Sequence, residues 1–320
     1  MNKASTEVDT QQEYVSHHVM EPGPLADRKL TGTWKDYVTV TKLGIIIGNL
    51  LTVFTGMWLA SAATGHSLDG VTILCTLLGA ALIIASGTCL NNYLDRDIDQ
   101  KMQRTKKRAL AQGRLDSKSV LTMGFVFAIL GTTLLLPMGY LATLVALFGL
   151  FGYVVLYTLW LKRTHELNTV VGSVAGAVPP MIGWAAVAKS LDPGAWVLFS
   201  IMFVWQIPHF LAIAIRRYED YKNAGIPMLP VVRGFRDTKW QMLNYTAGLI
   251  PVSLLLPLSV SMSSAYVWLA LILGIAWLVL SVKGFFTKGH EETIDWAKKY
   301  FIYSLVYLVL LFTSMIVLVN

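Results

Sequence analysis

Nine runs of roughly 20 apolar residues constrain this chain more than any other feature. They cover 43–63, 71–91, 120–137, 141–161, 168–188, 196–215, 242–258, 262–282 and 300–319. In hydrocarbon every backbone N–H and C=O must be satisfied inside the segment or by a closed barrel. Runs of this length and continuity predict membrane-crossing helices. Only 14% of the 320 residues are charged and 55% are hydrophobic, with a mean hydropathy of +0.56, which excludes a soluble surface. The expected class is an all-α polytopic membrane protein, nine transmembrane helices in a bundle around a central cavity.

The formal charge of +7 follows the topology of such a bundle. Counted by alternate loops, 25 of the 26 Lys and Arg residues fall on one side and only Lys189 on the other. The positive-inside rule then places the N-terminus in the cytoplasm, the C-terminus outside, and the large polar loops on the cytoplasmic side of the cell (plasma or inner) membrane. With its charge so explained, the chain gives no reason to expect nucleic acid as a partner. Residues 1–33 are polar, with no apolar signal core, and read as a disordered tail preceding one domain over 34–320. Cys75 and Cys89 lie 14 positions apart in one run, roughly 21 Å along a helix, too far for a disulfide, and read as buried thiols.

Two of the inside loops carry acidic residues followed by basic ones, four spans apart, which predicts a parallel duplication of a four-helix unit plus a ninth helix, with the loops facing one another. The first loop begins Asn91, Asn92, Tyr93, Leu94, Asp95, Arg96, Asp97, Ile98, Asp99. If the helix continues, Asn91, Asp95 and Asp99 form a row of oxygen donors about 6 Å apart along one face. Such a row suits Mg²⁺, which prefers oxygen ligands and is commonly shared between carboxylates and substrate phosphates. Asp97 points elsewhere and suits Arg96 or Lys101. Arg104, Lys107 and Arg108 are placed to neutralise a diphosphate, whereas Arg114 and Lys118 suit anionic membrane lipid.

The second loop begins inside the sixth run with Trp205, Gln206, Ile207, Pro208, His209, and continues to Arg216, Arg217, Tyr218, Glu219, Asp220, Tyr221, Lys222. His209 is either a satisfied core residue or a group facing an interior cavity. Glu219 and Asp220 either supply oxygens opposite Asp95 or pair with Arg216 and Arg217. His165, Glu166 and Asn168 lie at the same edge. The stretch Gly172 to Ala177 is a packing seam.

Three passages together resemble the UbiA-type intramembrane prenyltransferase superfamily, and within it the branch that farnesylates protohaem: NNYLDRDIDQKMQRTKKRAL (91–110), THELNTVVGSVAGAVPPMIGW (164–184) and WQIPHFLAIAIRRYEDYKNAGIPMLPVVRG (205–234). The superfamily's first motif, an Asn followed by Asp four and eight positions on, falls on Asn91, Asp95 and Asp99. Its second motif usually has two aspartates four apart; here Tyr218, Glu219 and Asp220 stand instead.

The resemblance implies transfer of a farnesyl group from farnesyl diphosphate to a vinyl group of haem B, a substrate rather than a resident cofactor, giving haem O. It implies Mg²⁺ as cofactor, held by Asp95, Asp99 and Asn91, with Asp220 completing the catalytic set. Arg104, Lys107, Arg108 and Lys222 would take the diphosphate, and His209, Arg216, Arg217 and Tyr218 the haem. Haem A synthase or oxidase assembly proteins are the partners it suggests downstream. Another transferase of the same architecture, acting on aromatic or quinone precursors, is the nearest alternative. A secondary transporter is a more distant one, because its ionisable groups would sit near the bilayer midplane.

Overall fold

The computed structural model describes residues 30–320, so the expected disordered tail lies, up to residue 29, outside the described residues. Among these, nine helices are long and apolar enough to cross a bilayer: Leu43–Thr64, Gly70–Leu94, Ser117–Met138, Tyr140–Thr164, Asn168–Ala188, Pro193–Arg216, Leu229–Leu258, Ser264–Phe286 and Gly289–Val317. They are called spans one to nine below. Each coincides with an apolar run. Spans seven and nine start 13 and 11 residues earlier than their runs at 242 and 300. Their first turns, LPVVRGFRDTKWQ and GHEETIDWAKK, are amphipathic, so the helix extends beyond the stretch that hydropathy detects. Gly234, at φ 78°, kinks span seven within that extension.

Two departures from plain helix position the polar end of the bundle. Span four changes from α-helix to π-helix over Gly152–Leu161, and such widened turns are frequent at functional sites. A short surface helix, Trp34–Thr41, precedes span one. Its start is fixed by the Asp36 carboxylate, which accepts the Thr33 N–H at 2.9 Å and the Arg114 guanidinium at 2.7 Å. Arg114 is therefore a brace for this helix rather than a free lipid contact.

Spans five and six are buried over most of their length, whereas only a minor part of three and four is buried inside the bundle. Span two packs along span three, and span six along span seven, as a four-span repeat requires; span nine packs against six and eight. The largest fully buried side chains, among them Trp184, Trp277, Tyr300, Tyr307 and Phe312, fill the space between spans five, six, eight and nine. Cys75 and Cys89 are both free thiols; Cys89 is buried, but Cys75 is only partly so.

Span one lies against the second half of span five at a separation only glycine permits. A Cβ on Gly56 would stand 2.0 Å from the Pro180 carbonyl oxygen, and one on Gly183 would stand 1.9 Å from that of Val53. Because the obstructing atoms are backbone on both sides, the helices must separate to accept any side chain. Gly183→Ala is expected to cost about 1–3 kcal/mol, read as a lowered melting temperature of the detergent-solubilised protein, while Gly248→Ala, where a Cβ meets nothing within 4 Å, leaves it unchanged.

Candidate active site

Span two ends at Leu94 and a short helix, Arg96–Lys101, follows it after a single turn residue. The i to i+4 backbone pattern survives the junction, with Asp95 N–H donating to Asn91 O at 2.9 Å and Asp99 N–H to Asp95 O at 2.8 Å. The row expected from the spacing is therefore present. Asp95 and Asp99 are buried, at 1% and 3% exposure, and a buried carboxylate must be paired. Lys162 is on Asp95 Oδ2, and Arg108 is on Asp99 Oδ2 at 2.6 Å. Asp95 Oδ1 is buried with no hydrogen-bond partner.

That unsatisfied oxygen is the feature of the row that fits a hard cation. Among the described residues no three His, Cys, Asp or Glu side chains gather into a self-contained metal cage. Mg²⁺ shared with phosphate oxygens requires only one or two carboxylates, so the donor set of Asp95 and Asp99 fits it. Asn91, expected among the ligands, is hydrogen-bonded on both sides of its amide: its Oδ1 accepts the Lys42 ammonium at 2.9 Å, and its Nδ2 donates to Asp95 Oδ2 at 2.8 Å and Thr158 Oγ1 at 3.2 Å. Here the amide braces Asp95 and offers its oxygen to a cationic side chain.

The wide turns of span four bring Thr158 and Lys162 to this row. Thr158 Oγ1 donates to Tyr153 O, five residues back, at 2.8 Å, which is the reach of a π turn. Tyr153 and Tyr157 stack at 5.7 Å on the same stretch, and Tyr157 lies within electrostatic reach of Asp95 and Arg104. Lys42, between the surface helix and span one, completes a ring of cations with Lys162 and Arg108. Burial first, then the neighbouring Arg108 and Lys162 charges, pull its ammonium down to about 7.

Asp97 does not pair with Arg96 or Lys101. It lies on another face of the helix, where Arg163 grips both its oxygens at 2.8 Å and lowers its pKa, while Arg96 lies over the Tyr93 ring at 4.3 Å. Arg104 is exposed, yet its charge reaches Tyr157 and Tyr221. Lys107 is exposed and its carbonyl receives Arg114 at 3.4 Å, so the structure does not bring its ammonium to the carboxylates.

The two polar loops face one another as the duplication predicts. Asp220 Oδ1 accepts the Gln103 N–H at 2.9 Å, and its other oxygen stands 4.0 Å from Arg217. Ile98 and Met102 pack with Ala214, Ile226 and Met228 beside this bond. Asp220 is thus occupied joining the loops, and Glu219 is exposed. Glu166 pairs with Arg233, and Asn168 Nδ2 donates to Pro227 O at 3.2 Å, a second tie at the same edge. Tyr221 is held protonated by burial, which pushes its pKa up.

His209 is buried in span six between the Trp205 ring at 4.7 Å and the Phe301 ring at 4.9 Å. Its Nδ1 shares a hydrogen bond with Ser304 Oγ at 2.7 Å. Arg216 lies over Phe301 at 4.7 Å. Tyr218 packs edge-on against Phe235 and His290, with exposed Lys222 at 5.8 Å from its ring. The first half of the chain therefore contributes a carboxylate and cation cluster, and the second an aromatic wall with arginines.

The description "UbiA prenyltransferase family" matches residues 49–306. The chain is 48% identical over 99% of its length to "Protoheme IX farnesyltransferase" of Alkalihalophilus pseudofirmus, covering 99% of that protein. It is 47% identical over 90% of its length to "Protoheme IX farnesyltransferase 2" of Bacillus subtilis, covering 93% of that one. Among solved structures, a digeranylgeranylglyceryl phosphate synthase shares the fold at TM-score 0.71 and 18% identity, over 89% of this chain and 99% of that one. A UbiA homolog from Archaeoglobus fulgidus bound to DMAPP and Mg²⁺ shares it at TM-score 0.61 and 13% identity, over 88% and 99% of the two chains.

If a diphosphate binds against Lys42, the lowered ammonium gives that binding a pH dependence of defined sign. The Lys42 charge is present below about 7 and lost above. The affinity for inorganic diphosphate, measured by calorimetry and divided by that of Lys42→Arg to cancel the ligand's own titration, should fall about tenfold between roughly pH 6 and 8.

Proposed function

The chain belongs to the UbiA prenyltransferase family, and from that premise we propose that it transfers a farnesyl group from farnesyl diphosphate to a vinyl group of haem B, giving haem O and releasing diphosphate. The observation that carries the chemistry is the buried Asp95 and Asp99 pair, with one unsatisfied carboxylate oxygen, ringed by Lys42, Arg108 and Lys162. Near-full-length likeness to two enzymes named for protohaem farnesylation supports haem as the acceptor.

Asp95 and Asp99 are the residues that would hold Mg²⁺, which when bound supplies Lewis-acid neutralisation of the diphosphate. Lys42, Lys162, Arg104 and Arg108 bind and orient the diphosphate oxygens, and the protonated Tyr221 offers a further donor. Charge develops on those oxygens as the allylic C–O bond breaks, so fixed cations favour the transition state over the bound substrate. The vinyl terminal carbon forms the new C–C bond to the farnesyl C1. The adjacent vinyl carbon takes the oxygen of water, which gives up a proton, leaving a hydroxyl. Apolar and aromatic walls keep water from the farnesyl cation until the vinyl group has reacted.

On the second half, His209 would be the residue to approach the haem, with Nε2 the ring nitrogen not engaged by Ser304. Arg216 and Arg217 suit the propionates, with Tyr218 beside them. The loops carrying these groups face the cytoplasm in this reading, the helices lie in the cell membrane, and the lipophilic product passes to haem A synthase or oxidase assembly proteins without leaving the bilayer. Asp220 serves by joining the two loops.

Purified protein incubated with haem B, farnesyl diphosphate and Mg²⁺ should yield haem O by mass spectrometry. EDTA, Asp95→Asn and Asp99→Asn should each lower the yield by at least about a hundredfold. Persistence of full conversion in Asp95→Asn would sink the assignment. His209→Ala should weaken haem binding, read by the Soret band, while leaving farnesyl diphosphate binding intact.

A further inference from the structure

We propose that Thr88 and Asn92 are positioning residues for the reaction, holding the backbone at Thr41 and Lys42 in a left-handed turn and so keeping the Lys42 ammonium aimed at Asn91 and the diphosphate. Lys42 has φ 54° and ψ 57°, one of two non-glycine residues with positive φ among the described residues. That conformation is unfavourable for a residue with a Cβ and persists only where its surroundings over-determine it. Glycine would take the same turn without strain, so a lysine here ties the strain to its side chain.

The over-determination is visible. The surface helix Trp34–Thr41 ends at this turn, and its last carbonyls need partners from outside the helix. Thr88 Oγ1 stands 2.9 Å from Thr41 O and 2.9 Å from Ala85 O, one turn back on its own helix, and its single proton is shared between these two acceptors. Asn92 Nδ2 donates to Val40 O at 3.3 Å and to Thr88 O, one turn back on its own helix, at 2.8 Å. Both side chains are buried, and they stand four apart on span two, on the face next to the row of Asn91, Asp95 and Asp99. The last two turns of span two thus read in two directions. One row faces the anion site, and the other clamps the helix end that presents Lys42.

The Lys42 side chain is held from the same place. Its Nζ donates to Asn91 Oδ1 at 2.9 Å, one residue before Asn92, so span two fixes both the backbone and the charged end of this lysine. An ammonium has three donors, and those not taken by Asn91 are the ones a diphosphate would receive. If the clamp loosens, the turn relaxes toward ordinary φ and the ammonium swings away, although neither Thr88 nor Asn92 touches substrate.

The inference rests on the reading of Lys42 as a diphosphate-binding group, and a double-mutant cycle separates the two. Thr88→Val keeps the side-chain shape and removes the hydroxyl, and Asn92→Leu removes the amide. In steady-state assays each should raise the KM for farnesyl diphosphate about tenfold, with the KM for haem B unchanged. Thr88→Ser should restore the wild-type value. On a Lys42→Ala background neither should raise that KM further, because the residue they act through is gone. Melting temperatures report any purely structural loss, which would add in both backgrounds.

A full additional rise on top of a defective Lys42→Ala, or wild-type KM values in Thr88→Val and Asn92→Leu, overturns the clamp while leaving the anion-site reading in place. A Lys42→Ala enzyme with unaltered KM overturns that reading and the clamp with it. Should Asn92→Leu fail to fold, the shape-conserving Thr88→Val and its Thr88→Ser rescue decide the question alone.

Discussion

An aspartate at 1% exposure at the edge of a bilayer is the constraint from which the polar end of this molecule follows. A carboxylate so deeply buried needs cations and donors around it. Asp95 obtains them from three separate parts of the chain: Asn91 on its own helix, Lys162 from span four, and Lys42, through Asn91, from the approach to span one. None of these is a sequence neighbour of the others. The site is therefore a meeting point of spans one, two and four, and those helices cannot drift apart without leaving a buried charge unpaired. The one oxygen left over, Asp95 Oδ1, is the place where the protein's own pairing stops.

What was legible in the sequence is what depends on period or on total apolar length. Nine runs gave nine spans among the described residues, and i, i+4, i+8 spacing gave the row of Asn91, Asp95 and Asp99. Lys162 and Thr158 were not legible because they reach the row through π turns, and a reading at 3.6 residues per turn has no means of aiming them. Lys42 was counted only as a charge on the inside face, since a left-handed turn at a lysine has no local signal. The amphipathic starts of spans seven and nine were missed for the opposite reason: they continue a helix without continuing its hydrophobicity.

The second loop shows why residue type alone did not settle roles. A buried aspartate four spans after Asp95 invites the reading of a matching metal ligand. Instead its oxygen accepts the Gln103 N–H, at the start of the run that contains Arg104 and Arg108. Holding that amide fixes where the basic turn begins. Asp220 therefore ties the backbone of the opposite loop, which no count of acidic residues reveals. Asn168, at the start of span five, ties the second loop in its turn by donating to Pro227 O.

The close approach of spans one and five bears on the same cluster from the other end. Span one begins immediately after Lys42 and is pressed onto span five through Gly56 and Gly183, where backbone carbonyls leave no room for a Cβ. A contact of that kind tolerates little sliding, because moving either helix along its axis brings a side chain to the position the glycine holds. The register of span one is thus set deep in the bundle, while its starting point is clamped by Thr88 and Asn92 near the polar end of span two. With both ends of the lever fixed, a flexible four-carbon lysine side chain is held in one place, which is what a cation facing a developing charge requires.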